Sequence, residues 1–142
     1  MALLFIDLDN FKGINDVLGH DSGDMILEAL AGKLKHCVRA ADTVCRYGGD
    51  EFVVLLAEIA QPDHAYAVAD KIREAAAAPM VIAGHEVSLQ LSIGVSVYPD
   101  NGETADALLK TADSAMYQVK ILNRRPVDGK LPAVPTSLSL LR

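Results

Sequence analysis

The sequence predicts an α+β fold, a mostly antiparallel sheet with helices on one side, and three observations predict it. Apolar runs rich in branched residues, at positions 2–6 and 53–56, read as buried strands. Between and after them lie aliphatic stripes at helical spacing. The resulting order of strand, two helices, hairpin, helix, strands and helix suits a sheet covered by helices.

Residues 2–6 are apolar throughout, as a strand buried on both faces requires, and the run ends in Asp7-Leu8-Asp9. From Asn10 to Leu18 a short helix is predicted. Phe11, Ile14 and Leu18 form its apolar face, while Lys12 and Asn15 share another. Gly19-His20 breaks that pattern. Asp21 or Ser22 then caps a second helix with Asp24 in its first turn, striped by Leu27, Leu30, Leu34 and Val38 and ending near residues 39–42. Thr43 to Tyr47 reads as the next strand. Gly48-Gly49 predicts a tight hairpin into residues 53–56, because glycine alone takes positive φ without steric cost. Asp50 and Glu51 then sit at the rim of a sheet, beside backbone bare enough for a ligand to approach.

Gln61-Pro62-Asp63 opens a third helix, with Val68, Ile72 and Ala76 buried, and Pro79 ends it. Residues 80–83 and 87–97 read as strands joined by a turn at Gly84-His85. The second alternates apolar and polar residues strictly, as a sheet with one solvated or helix-rimmed face would. Thr104 starts a last helix, with Leu108, Ala112, Ala115 and Val119 facing inward. Residues 126–142 hold three prolines and little periodicity, so they read as a tail or linker after a domain spanning 1–125.

At 142 residues, one domain with a sizeable core is expected. With 51% hydrophobic residues, 5% aromatics and no Trp, aliphatic residues and alanine must fill that core. The net charge of -6 argues against a nucleic acid duplex as partner, since phosphate binding needs clustered Lys and Arg. It does not argue against a nucleotide arriving with its own metal. No apolar run reaches membrane-span length and no signal-peptide pattern is visible. Cys37 and Cys45 lack metal-ligand spacing, and reduced thiols in a cytoplasm are the expectation.

Carboxylates ending a buried strand are costly unless they bind something, most often a hard cation that prefers oxygen ligands. Asp7 and Asp50 place acidic groups on two strand ends, an arrangement suited to Mg²⁺ and a nucleoside triphosphate. The stretches from Asp7 to Asp16 and Gly48-Gly49-Asp50-Glu51-Phe52, with Gly19-His20-Asp21-Ser22-Gly23-Asp24 and residues 112–120, resemble the GGDEF family, the diguanylate cyclases. The resemblance covers nearly the whole chain in the right order. It implies a ferredoxin-like palm, similar to nucleotidyl cyclases and polymerase palms. The family carries an N-terminal helix before the first strand; here the chain begins at that strand, so a domain lacking this element is expected.

The activity the resemblance implies joins two GTP molecules into cyclic di-GMP with release of two pyrophosphates, in a homodimer, with Mg²⁺ (or Mn²⁺). Asp7, the Leu8 carbonyl and Asp50 match the metal ligands. Asp50 or Glu51 would help deprotonate the 3′-hydroxyl. Lys12 matches a lysine that steadies phosphate charge, although an exposed helix lysine would look the same. Asn15 and Asp24 match guanine readers, whose amide and carboxylate suit the donors and acceptor of that base. His20 matches a substrate-contacting position, although a histidine after glycine in a loop is often just loop, and Gly48 and Gly49 match the bare backbone that a substrate approaches. Lys120 and Arg124 match a basic pair on the distal phosphates. The family's usual Gly-Arg-Asn ending is replaced here by Asn123-Arg124-Arg125-Pro126.

Arg39 and Asp42 reproduce an Arg-x-x-Asp inhibitory site for the cyclic di-GMP product. An ordinary salt bridge between residues three apart would explain the same pair. A second function is also open: a catalytically silent module that senses GTP or cyclic di-GMP, fused to a phosphodiesterase. The intact Gly-Gly-Asp-Glu-Phe favours the enzyme. A class III cyclase or polymerase palm would share the carboxylates but not this hairpin or the Arg39-x-x-Asp42 pair.

Overall fold

β1 (Ala2–Leu8) is the strand on which the molecule is assembled. In the computed structural model, which describes residues 1–124, it lies inside a four-stranded sheet of order β2 (Thr43–Arg46), β3 (Glu51–Leu56), β1, β6 (Leu91–Val97). All three pairings in this sheet are antiparallel, and Asp7 stands opposite Glu51 on one side and Ser92 on the other. Every residue of β1 is buried, which explains its unbroken apolar run.

Strand periodicity assigns the two faces. Leu4, Ile6 and Leu8 of β1, Phe52, Val54 and Leu56 of β3, and Ile93 and Val95 of β6 point one way. There they meet α2 (His20–Cys37) through Ile26, Leu30 and Leu34, and α3 (Pro62–Ala77) through Ala65, Ala69 and Ile72. Each such Leu or Ile contributes about 1.5–3 kcal/mol on burial. α1 (Phe11–Leu18) lays Phe11, Ile14 and Leu18 against the same core. The tail expected from residue 126 onward lies outside the described residues.

Helices on one side of the sheet were expected, and this is corrected. α4 (Ala105–Arg124) covers the opposite face, where Leu108, Ala112 and Met116 pack on Leu3, Phe5 and Val53. The polar phase of β6 therefore faces a helix and not water. Ser96 Oγ donates to the Leu108 carbonyl at 2.8 Å, and both Ser92 and Ser96 are fully buried. At Gly94 the helix comes closest: a Cβ there would sit 2.0 Å from the Ala112 carbonyl oxygen and 2.3 Å from the Met116 nitrogen.

Smaller expectations are also revised. The strand expected over 87–97 is two: β5 (His85–Val87) pairs with β4 (Met80–Ile82) in a separate hairpin, and β6 joins the main sheet. Between them the Leu89 N–H donates to the Ala76 carbonyl at 2.9 Å, which takes the backbone out of the ladder. α2 begins at His20 after Gly19, with no side-chain cap from Asp21 or Ser22, and ends at Cys37, two residues before Arg39. The last helix does start as expected, with Thr104 Oγ1 accepting the Ala107 N–H at 3.1 Å.

Candidate active site

The carboxylate cluster forms where β1, the β2–β3 hairpin and the last turns of α4 meet. The hairpin tip is built differently from the expected two-glycine turn: neither Gly48 nor Gly49 has positive φ. A wider loop holds them, with the N–H groups of Tyr47 and Gly48 both donating to the Glu51 carbonyl, at 2.7 and 3.3 Å. Arg46, which the sequence had not marked, braces this loop by donating to the carbonyls of Gly48 at 3.2 Å and Gly49 at 2.7 Å. At Gly48 a Cβ would lie 2.5 Å from Glu51 Oε1, so a side chain there would push the Glu51 carboxylate aside. The Leu8 N–H donates to the Asp50 carbonyl at 3.2 Å, tying the tip to the end of β1.

Asp7 is the buried member of the cluster. Burial first, and then the charge of Asp50, push its carboxyl up to about 6, with Lys120 pulling the other way and Glu51 adding to the rise. Like charges directly opposite across a sheet repel, and Asp7 and Glu51 are such a pair. Glu51 is raised too, by burial and then by Asp50 and Asp113, while Lys120 opposes. Asp7 Oδ1 is buried without a hydrogen-bond partner in the protein. That orphaned oxygen, the Leu8 carbonyl and the Asp50 carboxylate are oxygen donors of the kind that would hold a hard divalent cation. Among the described residues, no group of three or more His, Cys, Asp or Glu side chains forms a ready metal site.

Lys120 answers this negative charge. Its Nζ lies 3.3 Å from Asp7 Oδ2, 3.4 Å from Asp9 Oδ1 and 3.2 Å from the Leu8 carbonyl. The lysine expected at the phosphates thus stands against groups expected to hold a metal. Asp9, noted from the sequence only as a strand-end carboxylate, completes the site's inner wall with Ser92 and Asn123, neither of which had a role assigned from the sequence. Ser92 Oγ donates to Asp9 Oδ1 at 2.6 Å, and Asn123 Nδ2 to Asp9 Oδ2 at 2.9 Å. Only the three-residue spacing of Lys120 and Asn123, on one helix face, hinted at this.

The expected base readers lie on α1 and α2. Asn15 packs against Gly23 so closely that a Cβ on Gly23 would fall 1.8 Å from Asn15 Oδ1, an oxygen buried without a partner. Lys12, His20 and Asp24 are exposed on the same two helices. Arg124 is the last residue of α4.

Arg39 and Asp42 do form an ion pair, at 3.6 Å between Arg39 Nε and Asp42 Oδ2. Asp42, only 2% exposed in its side chain, also accepts the N–H groups of Arg39 at 2.9 Å and Ala57 at 3.0 Å. Burial raises its carboxyl, but the two N–H donors and the Arg39 charge outweigh this and hold it below the ordinary value. Arg39, 57% exposed, also donates to the Glu58 carbonyl. A cavity of about 290 Å³ opens beside the pair, lined also by Val38, His64 and Lys71. Among the described residues no helix is long and apolar enough to cross a membrane.

Residues 1–125 match the family profile described as "Diguanylate cyclase, GGDEF domain". Over 119 residues the chain is 44% identical to the bifunctional diguanylate cyclase/cyclic di-GMP phosphodiesterase MucR of Pseudomonas aeruginosa, covering 84% of this chain and 17% of MucR. The crystal structure of the GGDEF domain of TpbB from the same organism superposes with a TM-score of 0.82 at 47% identity, over 84% of this chain and 74% of that one. The GGDEF domain of DgcB from Caulobacter crescentus, in complex with c-di-GMP, gives a TM-score of 0.74 at 26% identity, over 84% and 71%. These likenesses establish the palm fold of nucleotidyl cyclases. The chain spans 15 to 34% of the length of the curated relatives it matches.

Proposed function

The chain belongs to the GGDEF domain family, and from that premise we propose that it is a diguanylate cyclase, joining two GTP molecules into cyclic di-GMP. The observation that carries the reading is the buried, unpartnered Asp7 Oδ1 beside the Leu8 carbonyl and Asp50. Such a donor set suits Mg²⁺ or Mn²⁺ shared with a triphosphate. When bound, the ion would offset phosphate charge at the reacting α-phosphorus.

The protein's own residues do the rest. Asn15 and Asp24 read guanine, with His20 and the bare backbone of Gly48 and Gly49 against the nucleotide. Lys12, Lys120 and Arg124 hold the phosphates. Asp50 or Glu51 takes the proton of the 3′-hydroxyl, and the raised carboxyl of Glu51 suits a base. The freed oxygen attacks the α-phosphorus of the other GTP, and the bond to the bridging oxygen breaks to release pyrophosphate. Two such transfers close the ring. Arg39, exposed beside its cavity, binds the product in bidentate fashion through a phosphate or a guanine edge and so limits synthesis.

Incubation with GTP and Mg²⁺, with the product identified by mass, tests this. A species of the mass of cyclic di-GMP is expected. GTP recovered unchanged from a complex that binds it would instead establish a binding module.

A further inference from the structure

Asn123 takes no part in the roles above, yet it is tied into the site. Its Nδ2 donates to Asp9 Oδ2 at 2.9 Å and lies 3.1 Å from Ser92 Oγ. Ser92 Oγ donates in turn to Asp9 Oδ1 at 2.6 Å, the oxygen that also faces Lys120 Nζ at 3.4 Å. Asp9 is 8% exposed and Ser92 0%. Asp9 therefore differs from Asp7: both of its oxygens are engaged, while Asp7 keeps one open. A carboxylate held by donors from β6 and α4 cannot swing freely, and its remaining attraction is aimed at Lys120.

We propose that Asp9, Ser92 and Asn123 form a positioning clamp that holds the Lys120 ammonium at the mouth of the carboxylate site, aimed at the phosphates of an arriving nucleoside triphosphate. The clamp rests on the reading of Lys120 as a phosphate group holder. It acts by limiting where the end of α4 and its lysine can go, so that less freedom is lost when phosphate binds.

The test titrates 3′-deoxy-GTP, which lacks the attacking hydroxyl, and the corresponding monophosphate, with Mg²⁺ present. The proteins are wild type, Asn123→Ala, Ser92→Ala, Lys120→Met and the double variant Asn123→Ala/Lys120→Met, each checked for folding by thermal melting. Asn123→Ala should bind the triphosphate about tenfold more weakly, as removal of a group that orients a binding residue does. Monophosphate affinity should stay unchanged, and Asn123→Ala should cost nothing further once Lys120 is methionine. Ser92→Ala should follow Asn123→Ala. Equal weakening of both nucleotides, additive losses in the double variant, or unchanged triphosphate affinity in Asn123→Ala and Ser92→Ala would overturn the clamp alone. Unchanged affinity in Lys120→Met would overturn the role of Lys120 and the clamp with it.

Discussion

Two aspartates can serve opposite ends, and their oxygens tell them apart. Asp7 has a buried oxygen with no partner and, even with Lys120 beside it, a carboxyl pushed up to about 6, so its ionised form is disfavoured where it stands. Asp42 is satisfied on both oxygens and its carboxyl is lowered, so its charge belongs to the folded state. Asp7→Asn and Asp50→Asn should each abolish cyclic di-GMP synthesis while leaving the melting transition cooperative; full turnover in either would remove these residues from the metal site. Asp42→Asn should behave in the reverse manner. A carboxyl lowered on folding contributes stability that is present above its unfolded value near 3.8 and is lost as pH falls through the folded value. Urea titrations should therefore show Asp42→Asn less stable by about 1–3 kcal/mol at pH 7, with the gap closing toward pH 3. Arg39→Ala, mostly exposed, should cost only tenths of a kcal/mol and relieve product inhibition. Equal inhibition constants in wild type and Arg39→Ala would leave it an ordinary surface arginine.

Among the elements, α4 decides how well the site is built, because it delivers Lys120 and Asn123 to the end of β1. Its seat is Gly94 on β6, where the backbones of Ala112 and Met116 leave no room for a Cβ. Gly94→Ala should lift the helix, cost about 1–3 kcal/mol or more, and weaken triphosphate binding together with stability. A variant as stable in urea as wild type would show that the helix shifts at no cost. This contact also shows why the sequence could not place α4. Ser92, Gly94 and Ser96 read equally as a solvated or a helix-rimmed strand face, since small residues are also what a closely approaching helix requires. The break between β5 and β6 was hidden for a related reason: Leu89 keeps the period of two and is buried, but its N–H serves the end of α3. β1 was legible because a fully buried strand must be apolar, and Asp7 stood out as the exception to that cost. The partners of Asp9 were not, since Ser92 and Asn123 lie 83 and 114 residues away in sequence and neither breaks a local rule.

For the molecule as a whole, the proposed chemistry outruns one chain. A single end of β1 offers a single carboxylate site, while cyclic di-GMP needs two GTP molecules, each attacking the other. Two chains related by a twofold axis satisfy this, since each then presents the same site to its partner. The described surface carries only a few exposed large hydrophobic residues on which such a pair could meet. These include Tyr117 and Ile121 a turn apart on α4 and Met1 and Tyr98 beside one cavity, with Val17 on α1, Met25 on α2 and Val81 on β4 standing elsewhere. A net charge of -6 on each chain adds repulsion between copies. Association should therefore be weak, and the meeting of two GTP-loaded chains should limit the rate. At saturating GTP and Mg²⁺, specific activity should rise in proportion to protein concentration at the dilute end of the micromolar range. Added salt should steepen the rise by screening the repulsion, within the limit that phosphate binding itself tolerates. Specific activity that is flat across that range, with sedimentation showing a single chain, would mean that one domain completes both transfers and that the twofold arrangement is wrong.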